Sequence, residues 1–361
     1  MEGKNSAYTK QYNRRRVLSL LQRSPLSRAE LSRQMGLTRA AISLITEELI
    51  AEGLICPSEK SMQPAGPGRA PTNLELCAGA LFAVGVSLSR SGAWVGLEDL
   101  KGNVLAHEQV TDQTPAGLIA AISKVIEKTP KDKILGIGIS APGPVDSAKG
   151  VILNPPDFPL WSNCPIGTLL SDALNLPVYL EKDANAAALF NRRNGDFEEK
   201  DDFLLLYMGG GVGSGVISQG KLLRFTELGH TSICYDGPVC SCGNRGCLEA
   251  YASINNILKQ FQYGSWEELM ASPKAAQVLS MQAEYLATAI GNCANMIPIG
   301  AVLLDGKMLA YSDRLLHLVA QRLEGRCMSG AAPELLPALS GPYTRLQSAC
   351  SIVFSHYLEE E

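Results

Sequence analysis

The 361-residue chain lacks the features that mark several classes of protein. No apolar run approaches the roughly 20 residues needed to span a bilayer, which argues against a transmembrane protein. The N-terminus leads into only a short apolar stretch, VLSLL, and so does not resemble a signal peptide. With 46% apolar residues, the composition also argues against disordered, collagen-like and coiled-coil architectures. We therefore expect a cytoplasmic globular protein of two or three domains, with no membrane partner.

A disulfide framework is also missing, although the chain has ten cysteines. Most are scattered singly, but Cys240, Cys242 and Cys247 crowd into eight residues and His230 precedes them. One His and three Cys can complete a closed tetrahedral zinc shell, which is typical of a structural site. Free reduced cysteines are the alternative, and Cys234 fits that description. The spacing predicts a structural zinc site formed by His230, Cys240, Cys242 and Cys247.

Positive charge is scarce except at the N-terminus. Residues 1–60 hold ten Lys and Arg against six Asp and Glu, a net charge of +4, and the remaining 301 residues carry −8. A basic head on an acidic body is expected when only one end of a protein meets a polyanion. A charge of +4 over sixty residues also lies within normal scatter. Charge alone therefore favours neither a polyanion-binding head nor ordinary variation.

The basic head contains two helix starts. Ser27 and Glu30 in SRAE form a capping box, and Gly36 suits the left-handed end of that helix. Thr38 is placed to cap a second helix with apolar positions at helical spacing, and a preceding helix is expected over residues 13–22. A capped helix, a tight turn and a second capped helix predict a helix-turn-helix unit.

In a helix-turn-helix the second helix enters the major groove N-terminus first, where Arg39 meets a guanine edge or a phosphate. A helical hairpin packed only for stability is the alternative. Residues 52–76 favour DNA binding, because two short apolar segments flank a Pro/Gly-rich loop in the manner of a β-wing. Arg69 lies at the tip of that loop, where it touches DNA or belongs to a linker. The groove-facing candidates on the second helix are Thr38, Arg39, Ala40 and Ser43.

The acidic body contains a weak internal duplication. Residues 81–97 and 203–223 each read as an apolar strand, a turn of small residues and a second apolar strand. Helical stretches and a buried strand, ILGIGIS, lie between them. Alternating strands and helices predict an α/β fold, and the duplication predicts two similar lobes. Ligands in such folds bind where strand ends face a cleft.

Two further motifs each allow two interpretations. The glycine-rich turn at residues 209–215 either brings backbone amides close to an anion or forms a β-hairpin that needs glycine. Asp183, at a strand-to-helix junction, either caps the helix, which is the commoner case, or faces the cleft. Near the cysteines, Glu227, His230 and Glu249 lie close enough in sequence for a metal to brace a polar pocket built from them.

Together these motifs resemble the ROK family of repressors and sugar kinases, most of all the xylose- and N-acetylglucosamine-type repressors. The resemblance spans nearly the whole chain and is most specific at ELGH followed by CSCGNRGCLEA. It implies a winged helix-turn-helix over residues 1–78 and an actin-like, ribonuclease H-like sugar-binding domain. The first lobe would span residues 79–190 with a C-terminal helix at 345–361, and the second lobe residues 191–344.

The resemblance also implies roles for individual residues. In the family, the aspartate matching Asp183 deprotonates the sugar hydroxyl, and the residues matching Glu227, His230 and Glu249 hold sugar hydroxyls. The His and three Cys carry structural zinc.

Three departures from the family's kinases bear on activity. Ser87 replaces an aspartate that organises metal, and Ser89, Arg90 and Ser91 replace the Gly-Gly-Thr that admits ATP phosphates. Asp305 replaces a glycine on the adenosine side. Because phosphoryl transfer depends on placing metal and donors around the phosphate, these changes predict loss of kinase activity, with Asp183 left as a vestigial base.

Lys182 replaces a sugar-contacting asparagine. Three roles stay open for it: pairing with Asp183 or recruiting an acidic or phosphorylated sugar, turning to solvent beside a pocket for a neutral sugar, or belonging to a pocket that binds nothing.

The principal expectation is a sugar-responsive DNA-binding repressor that acts as a homodimer or homotetramer on a double-stranded operator. An ATP-dependent sugar kinase and a zinc-stabilised regulator that responds to a protein partner are the alternatives.

Overall fold

The computed structural model describes residues 6–58, 72–155, 158–197, 201–308, 312–328 and 330–359. The chain divides into two compact units, Met1–Asp183 with Tyr343–Glu361, and Ala184–Pro342. Along the described ranges, no helix combines the length and the apolar character that crossing a bilayer requires.

The first unit begins with three helices and a small antiparallel sheet of order β1-β3-β2. Both predicted caps are confirmed. The Ser27 hydroxyl accepts from the Glu30 amide while the Glu30 carboxylate accepts from the Ser27 amide, and Thr38 accepts from the Ala41 amide. Gly36 has a φ of 66°, as its left-handed role requires. The elements are α1 (Ser6–Arg23), β1 (Leu26–Ser27), α2 (Arg28–Met35), α3 (Arg39–Ala51), β2 (Ile55–Pro57) and β3 (Asn73–Leu76).

Helix α1 is longer than the predicted residues 13–22. Its polar N-terminal turns are tied to α3, because Lys10 Nζ lies 2.7 Å from Glu48 Oε1 and Arg14 pairs with the same carboxylate. Apolar periodicity could not reveal these turns, because residues 9–12 are exposed and present no apolar stripe to the core.

The first unit continues with a five-stranded sheet of order β10-β7-β4-β5-β6, in which β4, β7 and β10 are parallel and β4-β5-β6 antiparallel. The predicted first hairpin and the predicted buried strand ILGIGIS are confirmed as β4-β5 and β7. The elements are β4 (Phe82–Ser89), β5 (Gly92–Asp99), β6 (Val104–Val110), α4 (Pro115–Ile126), β7 (Ile134–Ala141), β8 (Val145–Asp146), β9 (Val151–Ile152), α5 (Ile166–Leu174) and β10 (Val178–Lys182).

The second unit is built around a sheet of order β13-β12-β11-β14-β15. The elements that follow β10 are α6 (Asp183–Asn194), β11 (Phe203–Met208), β12 (Val212–Ser218), β13 (Lys221–Leu223), α7 (Leu248–Ala252), α8 (Ile254–Phe261), α9 (Trp266–Ala271), α10 (Ala275–Ala294), β14 (Ala301–Asp305), α11 (Ser312–Leu323), β15 (Glu334–Pro337) and α12 (Thr344–Glu359). From β13 to β15, the strands form two antiparallel pairs and then two parallel pairs. The first sheet shows the same succession from β6 to β10. The predicted α/β duplication is therefore confirmed.

Helix α12 returns to the first unit and packs directly on its sheet. Gly85 and Gly138 are paired neighbours on β4 and β7, and a Cβ on either would collide with a backbone carbonyl of α12. The other contacts of α12 include the head, since Val353 and Phe354 belong to one buried cluster with Leu18 of α1. One hydrophobic core thus joins the head, the first sheet and the C-terminal helix.

Candidate functional site

The predicted metal ligands lie on a loop that folds back on itself between β13 and α7. His230 ends a 3₁₀ turn, Leu228–His230, and Cys247 immediately precedes α7. The Ile233 amide donates to the Gly246 carbonyl at 2.8 Å, which draws the two ends of the loop together. Gly246 has a φ of 66°, and a Cβ there would collide with the Cys234 carbonyl, so only glycine fits.

The four predicted ligands converge. One donor atom each from His230, Cys240, Cys242 and Cys247 lies within 4.8 Å of all the others. Cys240 Sγ is 3.6 Å from His230 Nδ1, and the Sγ atoms of Cys242 and Cys247 are 3.7 Å apart. A tetrahedral ion with metal–sulfur bonds of about 2.3 Å sets its ligand atoms roughly 3.5–3.8 Å apart. The donor set therefore fits a tetrahedral metal ion.

The electrostatics of the cluster also favour a cation. Burial, together with the neighbouring thiols of Cys242 and Cys240, raises the pKa of Cys247 to about 12. The Asn244 backbone amide lowers the pKa of Cys242. Thiols this close cannot all ionise without a counter-charge, which a metal ion bound there would supply.

Glu249 is held beside the cysteine cluster by the glycine-rich turn. Its Oε2 accepts from the Val212 backbone amide at 2.9 Å, and its Oε1 accepts from the Ser241 hydroxyl at 3.4 Å. A Cβ on Gly211 would lie 2.7 Å from the same carboxylate, so glycine permits the approach. The turn closes the β11-β12 hairpin, and one of its amides meets a protein carboxylate. Neither the role of Val212 nor that of Ser241 was predicted.

The other predicted sugar-binding residues fall in both units. Glu227 is exposed and immediately precedes the 3₁₀ turn of His230, whose amide donates to the Glu227 carbonyl at 3.0 Å. In the first unit, Asp183 is exposed and begins α6, and Lys182 is buried. A Cβ on Gly143 would meet the aliphatic stem of Lys182, so that stem runs along the loop after β7. Lys182 therefore does not turn to solvent.

Ser89, Arg90 and Ser91, which were expected to stand in place of the kinase Gly-Gly-Thr, lie at a tight hairpin turn. Ser87 is buried in β4, and Ser89 and Gly92 are paired across the turn. The Ser89 hydroxyl donates to the Gly92 carbonyl at 2.8 Å and lies 3.1 Å from the Ser91 hydroxyl. These side chains occupy the turn, which contains no run of glycines. In the second unit, Asp305 accepts from the Gly306 amide at 2.6 Å.

The predicted DNA-reading residues lie together at the start of α3. Thr38, Arg39 and Ala40 are exposed and Ser43 is half-buried. The Thr38 hydroxyl is engaged as the cap of the helix. Arg69 lies outside the described residues. Leu44 was not singled out from sequence, yet its side chain is 64% exposed on the same helix.

The comparisons with known proteins agree with this architecture. The model of the ROK family matches residues 83–340. The chain belongs to the ROK family. A xylose repressor of Caldicellulosiruptor bescii is 30% identical over 89% of this chain and 90% of its own length. The predicted resemblance to ROK repressors is therefore confirmed.

Solved ROK structures differ in how much of the chain they match. A ROK transcriptional regulator described as a homolog of the E. coli Mlc protein is 25% identical, with a TM-score of 0.78, and covers 97% of both chains. A ROK hexokinase from Thermus thermophilus is 28% identical, with a TM-score of 0.64, and covers 75% of this chain and 97% of its own. The likeness to the regulator must include most of the 82 residues that precede the ROK match, because only 3% of this chain is left uncovered.

Proposed function

We propose that this ROK protein is a transcriptional repressor that binds an operator through an N-terminal winged helix-turn-helix and responds to a sugar. The proposal divides the chain into a head at residues 1–78, a first lobe at 79–190 with 345–361, and a second lobe at 191–344. It also assigns the protein to the compartment that holds the DNA, which is the cytoplasm. The observation that carries the proposal is the likeness to a ROK regulator over 97% of both chains, head included.

The local geometry of the head supports a DNA-binding role. Two capped helices meet at Gly36, and the strands β2 and β3 lie beside them as a wing would. In such units the second helix enters the major groove with its N-terminal residues against the bases. Helix α3 would then present Arg39, Ala40 and Ser43, and Arg69 would extend the contact from the wing.

The body would hold a sugar through Asp183, Glu227, His230 and Glu249. A zinc ion would be held by His230, Cys240, Cys242 and Cys247, and it would rigidify the loop and charge-balance its thiolates. His230 would contact the metal through Nδ1, the atom that lies 3.6 Å from Cys240 Sγ. Its Nε2 would then be left to bind a sugar hydroxyl. Glu249, fixed by Val212 and Ser241, would accept a hydrogen bond from another hydroxyl.

Kinase activity would be lost. The Ser89 hydroxyl is tied to Gly92, and the serine and arginine side chains of this turn fill the place of glycines that would admit phosphates. Ser87 carries no charge to hold a metal, and the Asp305 carboxylate would repel a nucleotide. The likeness to a ROK hexokinase and the retained Asp183 favour the enzyme alternative, so it needs a direct test.

Regulation would operate through the spacing of two heads in a homodimer, or in a homotetramer built from two dimers. Two winged helices meet a palindromic operator only when its half-sites are whole helical turns apart. Sugar binding would favour a different spacing and release the DNA. Shifting the population from mostly bound to mostly free takes about 5.5 kcal/mol of differential affinity.

The experiment is an operator selection from random duplex DNA, repeated with xylose, glucose and N-acetylglucosamine, and with glucose 6-phosphate and N-acetylglucosamine 6-phosphate. We expect one palindromic motif whose recovery falls in the presence of at least one sugar. Enrichment of no motif would overturn the DNA-binding function, and enrichment unaffected by any sugar would favour a regulator that responds to a protein partner. ATP turnover stimulated by a sugar from the same panel would establish the kinase alternative.

A further inference from the structure

We propose that α3 reads the C5-methyl groups of thymine in the major groove through an apolar strip formed by Ala40 and Leu44. The inference rests on the proposed DNA-binding function and specifies the chemistry of its base contacts. It assigns to Leu44 a role in sequence specificity.

The position of Leu44 on its helix is the first observation. The buried side of α3 is formed by Ile42, Ile45, Thr46 and Leu49. At 100° per residue, Ala40 and Leu44 both project within roughly 30° of the direction opposite that side. The side chain of Leu44 is 64% exposed, and Ala40 is exposed one turn before it. The centre of the outward face of α3 is therefore hydrocarbon.

Apart from Glu47, the polar groups around this strip are engaged elsewhere or lie to its side. The Thr38 hydroxyl accepts from the Ala41 amide at 3.2 Å, and the Glu48 carboxylate is held by Lys10 and Arg14 of α1. Arg39 lies roughly 120° around the helix from the centre of the strip, where it is suited to a phosphate or to a base at the groove edge. Ala40 and Leu44 themselves contact bases without hydrogen bonds, because neither side chain has a polar atom.

Apolar contact in the major groove has one specific target. Each base edge presents donors and acceptors there, and the thymine methyl is the apolar group. Single exposed leucines are common on protein surfaces, so exposure by itself assigns no role to Leu44. Its position on the helix does. Leu44 lies in the second turn of a helix whose N-terminal turns approach the bases, whereas Glu47, one turn later, carries a charge that phosphates repel. A half-site is therefore expected to place thymines opposite Ala40 and Leu44.

The test uses the operator obtained by selection and replaces its thymines with deoxyuridine, one position at a time. This exchange removes a methyl group and leaves every hydrogen bond in place. For the wild-type chain we expect about fourfold weaker binding at one or two positions per half-site, the worth of one apolar carbon withdrawn from water. Leu44→Ala should bind the thymine operator several-fold more weakly and lose the thymine-over-uracil preference at one of those positions.

The matched control is Leu105→Ala, which shortens a leucine that is 54% exposed on β6. It should keep both the wild-type affinity and the uracil effect. Leu44→Ala should also keep wild-type binding to a non-specific duplex, because it changes no charge. Circular dichroism melting of both variants should match the wild type, since neither side chain is buried.

The outcomes separate this inference from the function on which it rests. If a specific operator is bound but no uracil substitution weakens binding, or if Leu44→Ala retains the full uracil effect at every position, the methyl-reading strip is wrong and the repressor function stands. If no specific duplex is bound at all, the proposed function fails and this inference fails with it.

Discussion

The carboxylate of Glu249 accepts a hydrogen bond from the backbone amide of Val212 at 2.9 Å, although the two residues are 37 positions apart. The contact joins the turn between β11 and β12 to the first turn of α7, directly after the cysteine loop. Ser241, between two of the cysteines, donates to the same carboxylate. A substitution in the cysteine loop should therefore alter the position of the Glu249 carboxylate.

The first prediction concerns this carboxylate. Glu249→Gln keeps the shape but loses the charge, so we expect at least tenfold weaker binding of whichever sugar releases the operator, because hydrogen bonds to charged groups contribute about 1.5–3 kcal/mol. Titration calorimetry measures it. Glu267→Gln, at an exposed position in the first turn of α9, is the control and should bind like wild type. Equal affinity of all three proteins would remove Glu249 from the sugar site.

The second prediction concerns the metal. Purified protein should contain about one zinc per chain, and Cys242→Ser should lose most of it because one of four ligands is missing. Cys234→Ser should retain the zinc, since Cys234 lies outside the cluster and its thiol donates to Asp236. Elemental analysis by mass spectrometry gives the content directly. Full occupancy in the Cys242 variant would contradict the proposed ligand set.

The cluster also predicts a pH dependence of metal binding. Zinc binds thiolates, and the pKa of Cys247 is raised to about 12, so binding must displace its proton. Apparent zinc affinity should therefore weaken steadily as pH falls from 8 to 6, with protons released on binding. Competition with a chelating dye at several pH values measures the slope, and a flat profile would contradict thiolate ligation.

The third prediction concerns Arg39. If this exposed side chain contacts DNA, Arg39→Ala should weaken operator binding, and loss of a phosphate contact should reduce the salt slope by about 1. Fluorescence anisotropy at several salt concentrations supplies both numbers. Arg345→Ala removes an exposed arginine from α12 and should change neither. If the Arg39 variant keeps both affinity and slope, the placement of the recognition helix is wrong.

Features set by neighbours in sequence could be predicted, and the two helix starts of the head are the clearest example. A cap joins residues three apart, so Ser27 and Thr38 could be identified without knowing the fold. The cysteine cluster could be found for a similar reason, because three of its ligands fall within eight residues. The strands followed from runs of apolar residues.

Contacts between distant residues could not be predicted in the same way. The 37-residue separation of Val212 and Glu249 does not predict their hydrogen bond. Gly138 likewise contacts α12, which lies more than 200 residues later in the chain. Leu44 was missed because helical periodicity identifies the apolar residues that belong to the core, and Leu44 is apolar but exposed. The first turns of α1 were missed because residues 9–12 are exposed and show no apolar periodicity.

The fourth prediction concerns the capping box of α2. Ser27→Ala should lower the free energy of unfolding by about 1 kcal/mol, because a Glu30 amide loses its acceptor. Ser123→Ala, which removes an exposed hydroxyl that donates to Ile119 within α4, should change it by less than about 0.5 kcal/mol. Urea denaturation at pH 7 makes the comparison, and equal midpoints would contradict the cap.

The same box predicts a response to acid. A hydrogen bond from the Ser27 amide, and a weaker contribution from the Ser27 hydroxyl, hold the pKa of Glu30 below its usual value. A carboxyl whose pKa is lower in the folded state stabilises the fold above its unfolded pKa, and this contribution is lost as pH falls through the folded value. Glu30→Gln should therefore be less stable than wild type at pH 7, and the difference should shrink towards pH 3. A difference that does not change with pH would contradict this reasoning.

The last prediction concerns the packing of α12 on the first sheet. Gly138→Ala introduces a Cβ that collides with the Ala349 carbonyl, and because helix backbone cannot yield as a flexible side chain does, the free energy of unfolding should fall by about 1–3 kcal/mol. Gly264→Ala is the control, since its Cβ would come no closer than 3.5 Å to the flexible end of Glu268. Thermal and urea unfolding should separate the two variants.

Because Val353 and Phe354 of α12 belong to the same buried cluster as Leu18 of the head, Gly138→Ala should also loosen the head, seen as faster hydrogen exchange in α1. Exchange in α1 equal to that of wild type would mean that the head does not depend on the seating of α12.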